Sequence, residues 1–325
     1  MTLKSGKRGS YRIFVCEYVS GGGCRADAEL PAIATEGDGM LRALLHDLRS
    51  IDGLSLSTAR DARLPPIDGP WEVRVIQAGE DPWPVWREQI EAADAVWPVA
   101  PETGGALERL SRMVEKAGRT LLGSRPDAVA LTSSKLATAR LLAENGIPVI
   151  ESYASGGPIP DSITGWITKP DNGAGCESTY YFADRETVRR WRASPTAGHF
   201  IVQPYIEGVP ASLSVLCYDG SVTVLAYNRQ DIELSDGQLH FRGVAVGGLV
   251  ADRAILAALA QTVGRAIPGL RGYAGIDLVL SAAGPMVVEV NPRLTTAYVG
   301  LRSVIRRNPA ELLLPALGLP LSSRS

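Results

Sequence analysis

The sequence predicts a mixed α/β protein: an open, Rossmann-like parallel-sheet domain first, then a region built on antiparallel strands. Three observations carry this. Up to about residue 125, short apolar β-prone runs alternate with apolar residues at helical spacing, as in a layered α/β sheet. Further on, two strand-like runs flank Asp219-Gly220, a dipeptide that favours a tight hairpin, and two more flank residues 281–284. The length, 325 residues, suits two domains or three smaller ones sharing a site.

In order, residues 11–18 read as a strand running into the glycine-rich segment 20–23. Met40, Leu41, Leu44, Leu45 and Leu48 then recur at helical spacing over residues 35–48. Strands are expected over 71–77, 95–100 and 120–122, with helices over 85–92 and 105–117. From Asp127 the pattern changes. Residues 128–131 and 134–145 read as two helices broken near Thr132, the second stopped by Gly146 and Pro148. Strands over 166–170, 179–182 and 200–203 surround a helix over 185–192. Runs 211–217 and 222–228 pair across the hairpin turn, and a helix over 253–267 precedes strands 273–280 and 285–290. The expected organisation is a disordered tail over 1–10, an N-terminal domain over 11–125, a central lid over 126–200 and a C-terminal subdomain over 201–325.

Composition excludes several classes. The net charge is −2, from 33 basic and 35 acidic residues, so no general basic field exists to hold a nucleic-acid backbone. Cys16, Cys24, Cys176 and Cys217 are scattered without a C-x-x-C pair, and His46, His199 and His240 lie far apart. A structural zinc site or a disulfide framework is therefore not expected, and a reduced cytoplasm is. No apolar run reaches the roughly 18–20 residues that span a bilayer. Only five basic residues are lysines (Lys4, Lys7, Lys116, Lys135, Lys169), so a lysine inside a folded element stands out.

Three constellations could carry chemistry. In Lys169-Pro-Asp-Asn-Gly173-Ala-Gly175-Cys-Glu-Ser178 a strand delivers a lysine into a glycine-bearing loop. Backbone N–H groups can approach phosphate oxygens there, while the ammonium supplies a point charge; the alternative is a plain surface turn. Asp277 lies on one strand, and Glu289-Val-Asn291-Pro-Arg293 follows on its neighbour. Glu289 and Asn291 share a strand face, and these hard oxygen donors suit Mg²⁺. Arg293 can neutralise charge on a transferring phosphoryl group. Valines at 279, 287, 288 and 290 make a merely solvated acidic face costly. Gln203-Pro-Tyr205-Ile206-Glu207-Gly208 ends a strand in backbone groups that could bond an adenine edge, or is an ordinary turn.

The order of these blocks, with Lys135 on an upstream helix, resembles the ATP-grasp superfamily over roughly residues 10–318. The resemblance implies an ATP-grasp fold with a preceding α/β domain, in which Lys135 and Lys169 grip ATP together with Gly173 and Gly175. It implies that residues 203–206 hold adenine and that Asp277, Glu289 and Asn291 hold two Mg²⁺ ions, with Mn²⁺ as a substitute. The family's ribose-binding glutamate has no counterpart in Val209-Pro-Ala-Ser212, so Glu207 is the candidate for that role. Cys176 reads as a small packing residue and His240 as a structural histidine. Arg229, in Asn228-Arg229-Gln230, could contact the phosphates or an acyl phosphate and joins Lys169 and Arg293 as a catalytic candidate; it could equally be a surface arginine.

Within the superfamily, Glu17-Tyr-Val-Ser20-Gly-Gly-Gly23, Glu36-Gly37 with Met40-Leu41, and Ala100-Pro-Glu102-Thr-Gly104 are similar to a narrower group, the tyramine–L-glutamate ligases of methanofuran and methylofuran synthesis. Ser20, Gly21, Gly22, Glu36 and Glu102 become substrate-contact candidates. The implied reaction joins a small-molecule carboxylate to an amine at the expense of ATP, without nucleic acid or membrane, and the superfamily admits a homodimer. The rival readings are a ligase for another amino acid and amine, and a non-catalytic ATP sensor. A dinucleotide-binding oxidoreductase would need G-x-G-x-x-G between the first strand and its helix, which residues 21–26 match only in part.

Overall fold

The computed structural model describes residues 10–24, 30–173 and 175–319; the tail expected over 1–10 falls outside these, apart from Ser10. The chain opens with β1 (Tyr11–Glu17), a wide turn over Val19–Gly23, α1 (Leu30–Leu48), β2 (Leu54–Asp61), β3 (Glu72–Ile76), α2 (Pro82–Ala92), β4 (Ala95–Val99), α3 (Ala106–Lys116) and β5 (Thr120–Leu121). The strands form a parallel sheet in the order β3-β2-β1-β4-β5. The direction of winding reverses between β1 and β4, so their C-terminal ends open the crevice where such sheets bind ligands. Two differences from the sequence expectation arise here. β2 was not anticipated because its Ser55, Ser57, Thr58 and Arg60 break the apolar signal, although Thr58 and Arg60 are buried. α1 starts five residues earlier than residue 35.

The second half continues with α4 (Pro126–Ser133), α5 (Lys135–Glu144), β6 (Tyr153–Ala154), β7 (Trp166–Pro170), β8 (Tyr180–Phe182), α6 (Arg185–Arg192), β9 (Phe200–Pro204), β10 (Val209–Tyr218), β11 (Ser221–Ser235), β12 (Gln238–Ala245), α7 (Arg253–Ala266), β13 (Gly272–Ser281), β14 (Gly284–Asn291), α8 (Tyr298–Ile305) and α9 (Pro309–Ala316). The expected break between α4 and α5 falls at Ser134, whose hydroxyl accepts from Ala137 N–H at 3.0 Å and starts the second helix. Nine strands form one sheet, β14-β13-β10-β11-β12-β8-β7-β9-β6. β12 meets β8 through a single registered pair, Gln238 opposite Tyr180, so the lid strands join the larger part of the sheet narrowly.

Burial divides the molecule differently from the sequence boundaries. α8 and α9 cross back onto the N-terminal domain, where Tyr298, Leu301, Leu313 and Leu314 share one core with Ile13, Leu41 and Leu45. Ala128 of α4 and Leu142 of α5 pack with β10 and β13 rather than with the lid. The lid keeps a small core of its own, Ile159, Trp166, Val188 and Val202, which makes it the element most easily displaced. No helix among the described residues is long and apolar enough to cross a membrane.

Asp47 of α1 fastens the C-terminal helices. Its carboxylate accepts from Tyr298 Oη at 3.0 Å and Arg302 Nη1 at 2.7 Å, and its carbonyl accepts from Asn308 Nδ2 at 2.9 Å. Asp47→Ala strands a buried phenol, so urea unfolding is expected to show a loss of about 2–4 kcal/mol.

Candidate functional site

The register of β13 and β14 builds the centre of the site. Asp277 stands directly opposite Glu289 and Gly275 opposite Asn291, so the three polar side chains share one face; a bulge after Asp277 interrupts the ladder there. Gly275 is required by close approach: a Cβ on it would come within 2.7 Å of Thr295 Cγ2 and 3.6 Å of Asn291 Cβ. Asn291 Nδ2 donates to one Asp277 oxygen at 3.1 Å, and Gln230 Nε2 of β11 donates to the other at 3.1 Å.

Two buried ammonium groups face these carboxylates. Lys135 opens α5, with Nζ 3.3 Å from Glu289 Oε2 and donating to the Gly173 carbonyl of the lid loop. Asp171, just past β7, holds that helix end: its carboxylate accepts from Leu136 N–H and Ser134 Oγ, both at 2.8 Å, and its carbonyl accepts from Lys135 N–H at 3.1 Å. Lys169 arrives on β7. Burial, with Lys135 adding to it, lowers its ammonium from an ordinary 10.5 to about 8. Burial and the neighbouring Glu289 push the Asp277 carboxyl up. For Glu289 burial also pushes upward, but Lys135 and Lys169 outweigh it and hold the group below the usual range.

Arg293 reaches into the same cleft just beyond Asn291. Its Nε and Nη2 donate to Glu102 Oε2 at 3.1 and 2.9 Å, and Nη1 donates to the Leu294 carbonyl at 3.1 Å. Glu102 follows β4, so the N-terminal domain sets the direction of a guanidinium that belongs to the C-terminal sheet.

These groups line a cleft of about 420 Å³, within the size range of small-ligand sites. Of the sequence candidates, Lys135, Lys169, Gly173, Gly175, Gln203, Tyr205, Ile206, Asp277, Glu289, Asn291, Arg293 and Glu36 line it together. Tyr205 and Ile206 line it together with the apolar residues Ile150, Ile167, Leu278 and Val288, a lining suited to a heteroaromatic base. Gln203 is turned to Ser152, donating to its hydroxyl at 2.6 Å. Cys176 borders the cleft too; burial and Glu289 push its thiol up to about 11, so it stays protonated.

Other candidates sit elsewhere. Glu207 is exposed and does not line the cleft. Arg229 points outward, and strand alternation delivers its neighbour Gln230 to the site instead. Ser20, Gly21 and Gly22 are buried in the turn after β1. Glu17 accepts from Ser20 N–H at 2.6 Å, Trp86 Nε1 donates to the Gly21 carbonyl at 3.1 Å, and Gly22 has φ +102° against Ile76, where a Cβ would lie 2.9 Å away. The turn is engaged internally and is not among the cleft-lining residues. Glu102 holds Arg293 rather than lining the cleft, and His240 lies opposite Glu233 and does not line the cleft. Sequence reasoning missed Gln230, Asp171 and the cleft-facing side of the β11–β12 hairpin. The alternation of Ile232 and Leu234 with Asp231 and Glu233 was the available signal.

The donor set fits a hard divalent cation: two facing carboxylates, one ordinarily disfavoured by the other, beside an amide oxygen. No cluster of three or more His, Cys, Asp or Glu suited to a metal exists among the described residues. An ion here would therefore complete its shell with water or with oxygens of a ligand, as Mg²⁺ does with phosphates.

Comparison with known proteins agrees with this geometry. The pre ATP-grasp 3 domain family matches residues 54–129, and the ATP-grasp domain family matches residues 132–297. The tyramine–L-glutamate ligase of Methanocaldococcus jannaschii is 25% identical over 228 residues, 69% of this chain and 63% of that protein. Its counterpart from Methanocaldococcus fervens is 25% identical over 226 residues, 69% and 66% respectively, so the chain spans just under two thirds of these relatives. An ATP-grasp superfamily structure from Archaeoglobus fulgidus superposes with a TM-score of 0.75 at 23% identity, covering 96% of this chain and 90% of that one. The L-amino acid ligase of Bacillus licheniformis does so at 0.64 and 18%, covering 98% and 76%. These structures share the fold. Because the matched span runs from the end of α4 past β14, and so contains both lysines, the lid loop and the facing acidic strands, the chain belongs to the ATP-grasp family.

Proposed function

We propose that this protein is an ATP-dependent carboxylate–amine ligase that forms an amide through an acyl phosphate, with L-glutamate and tyramine as substrates. The observation that carries the reading is the confrontation of Asp277 and Glu289 with Lys135 and Lys169 in one cleft. That arrangement suits a triphosphate and offers no protein nucleophile, as phosphoryl transfer to a carboxylate requires none. The two matched Methanocaldococcus ligases support the substrate pair.

Asp277, Glu289 and Asn291 would hold Mg²⁺, which supplies charge neutralisation on the phosphates when bound. Lys169 on β7 and Lys135 at the start of α5 bind and orient the triphosphate, and the apolar lining around Tyr205 and Ile206 receives the base. Arg293, aimed by Glu102, offers its remaining N–H groups to oxygens that gain charge as the phosphoryl group moves to the substrate carboxylate. The loop residues 171–173 and 175–178 close over the site and keep water from the acyl phosphate until the amine displaces phosphate. Glu36, an exposed carboxylate on the rim of the cleft, suits the ammonium group of an amino acid.

The test is ADP release with amino acids crossed against amines, followed by mass spectrometry of the product. Release is expected to require glutamate and tyramine together and to yield γ-glutamyltyramine. Equal release with unrelated pairs removes the substrate assignment.

A further inference from the structure

We propose that the inward face of the β11–β12 hairpin is the specificity surface for the amine, and that it selects a primary amine carrying an aromatic ring on a short arm. This deepens the ligase reading above and rests on it for the identity of the acceptor.

Register defines the surface. Gln230 faces Val244, Ile232 faces Phe241 and Leu234 faces Leu239, and all six residues border the cleft. The opposite face is polar: Glu233 stands across from His240, and Arg242 Nε lies 2.7 Å from Glu233 Oε2. Apolar side chains therefore look into a solvent-filled cleft while charged ones look out, and Leu234 is 46% exposed. An apolar wall in a ligand cleft is covered when the ligand binds.

The wall also acts as a ruler. Gln230 touches Asp277, at the end of the cleft where phosphoryl transfer is centred. Side chains on one strand face recur about every 7 Å, so Ile232 and Phe241 lie about one such step from that point and Leu234 and Leu239 about two. An amine whose nitrogen is at the acyl phosphate places a ring at the end of a two-carbon arm over the first pair. A small aliphatic amine leaves that pair wet, and a charged side chain would lose its hydration there.

Binding of phenethylamine, tyramine and ethylamine to the full chain, with Mg²⁺ and a non-hydrolysable ATP analogue, is measured by calorimetry, alongside ADP release with glutamate. Phenethylamine and tyramine are expected to bind at least about tenfold more tightly than ethylamine, and Phe241→Ala or Ile232→Ala to erase about tenfold of that preference. Phe241→Leu should recover part of it, while Glu233→Ala, on the outer face, leaves all three affinities unchanged. Equal affinities for the three amines in the unmodified protein overturn the inference. So does a Phe241→Ala variant that loses ATP-analogue binding and all amines alike, because the wall then seats the lid loop. Ring-dependent binding without glutamate-dependent ADP release removes the glutamate assignment and leaves the specificity surface standing.

Discussion

Glu289→Gln is expected to lower ADP formation by roughly 10²–10³ with the unfolding midpoint nearly unchanged, since the change removes a charge that acts on the phosphates and keeps the side chain's shape. Glu289 is held ionised by Lys135 and Lys169, directly opposite Asp277. The amide keeps a hydrogen bond for Lys135 but gives up the member of the facing pair that the two lysines hold ionised, and with it the affinity for a divalent cation. Turnover and circular dichroism on the same preparation check this, and turnover near that of the unmodified protein would refute the assignment of this face to the cation.

Lys169→Met is the second large effect, and it moves activity and stability in opposite directions. Turnover should fall by at least about a hundredfold, because a buried point charge on the triphosphate is lost. The ligand-free protein should gain stability at neutral pH. The folded pKa of about 8 lies below the ordinary 10.5, so the folded state disfavours the charged form, and the lowering corresponds to about 3 kcal/mol. The sign follows from proton linkage: the penalty is fully present below about pH 8 and is relieved as pH rises from 8 towards 10.5. Urea unfolding at pH 7 and pH 10 should therefore show a stabilised variant at the lower pH and a much smaller difference at the higher. Equal differences at both values would mean that the lysine is not held against its charge. The same opposition between stability and use is common where a site is built to receive a ligand's charge.

Both effects depend on elements that the sequence made legible to different degrees. The acidic strands could be read because three local features coincide: a two-residue spacing puts Glu289 and Asn291 on one face, the turn at 281–284 returns the chain beside Asp277, and surrounding valines mark burial. Lys169 could be read because a strand runs straight into a glycine-bearing loop. Arg229 could not be resolved from Gln230, since assigning inward and outward faces needs the register of β11, and a one-residue step reverses them. The alternation of Leu239 and Phe241 with His240 and Arg242 marks a strand but not what its apolar face looks onto, and α8 and α9 show their purpose only against α1.

Local chemistry along the chain was thus sufficient for most of the strands and helices, for Lys169 at a glycine-bearing loop and for the shared face of Glu289 and Asn291, because each follows from neighbours a few positions apart. The tertiary structure alone decided that Glu102 serves Arg293, that Asp171 anchors the helix of Lys135 and that the glycine turn is internal packing. Those outcomes join residues up to 191 positions apart, as in the Arg293–Glu102 bond, and contacts of that range are set by how whole layers dock rather than by any local preference.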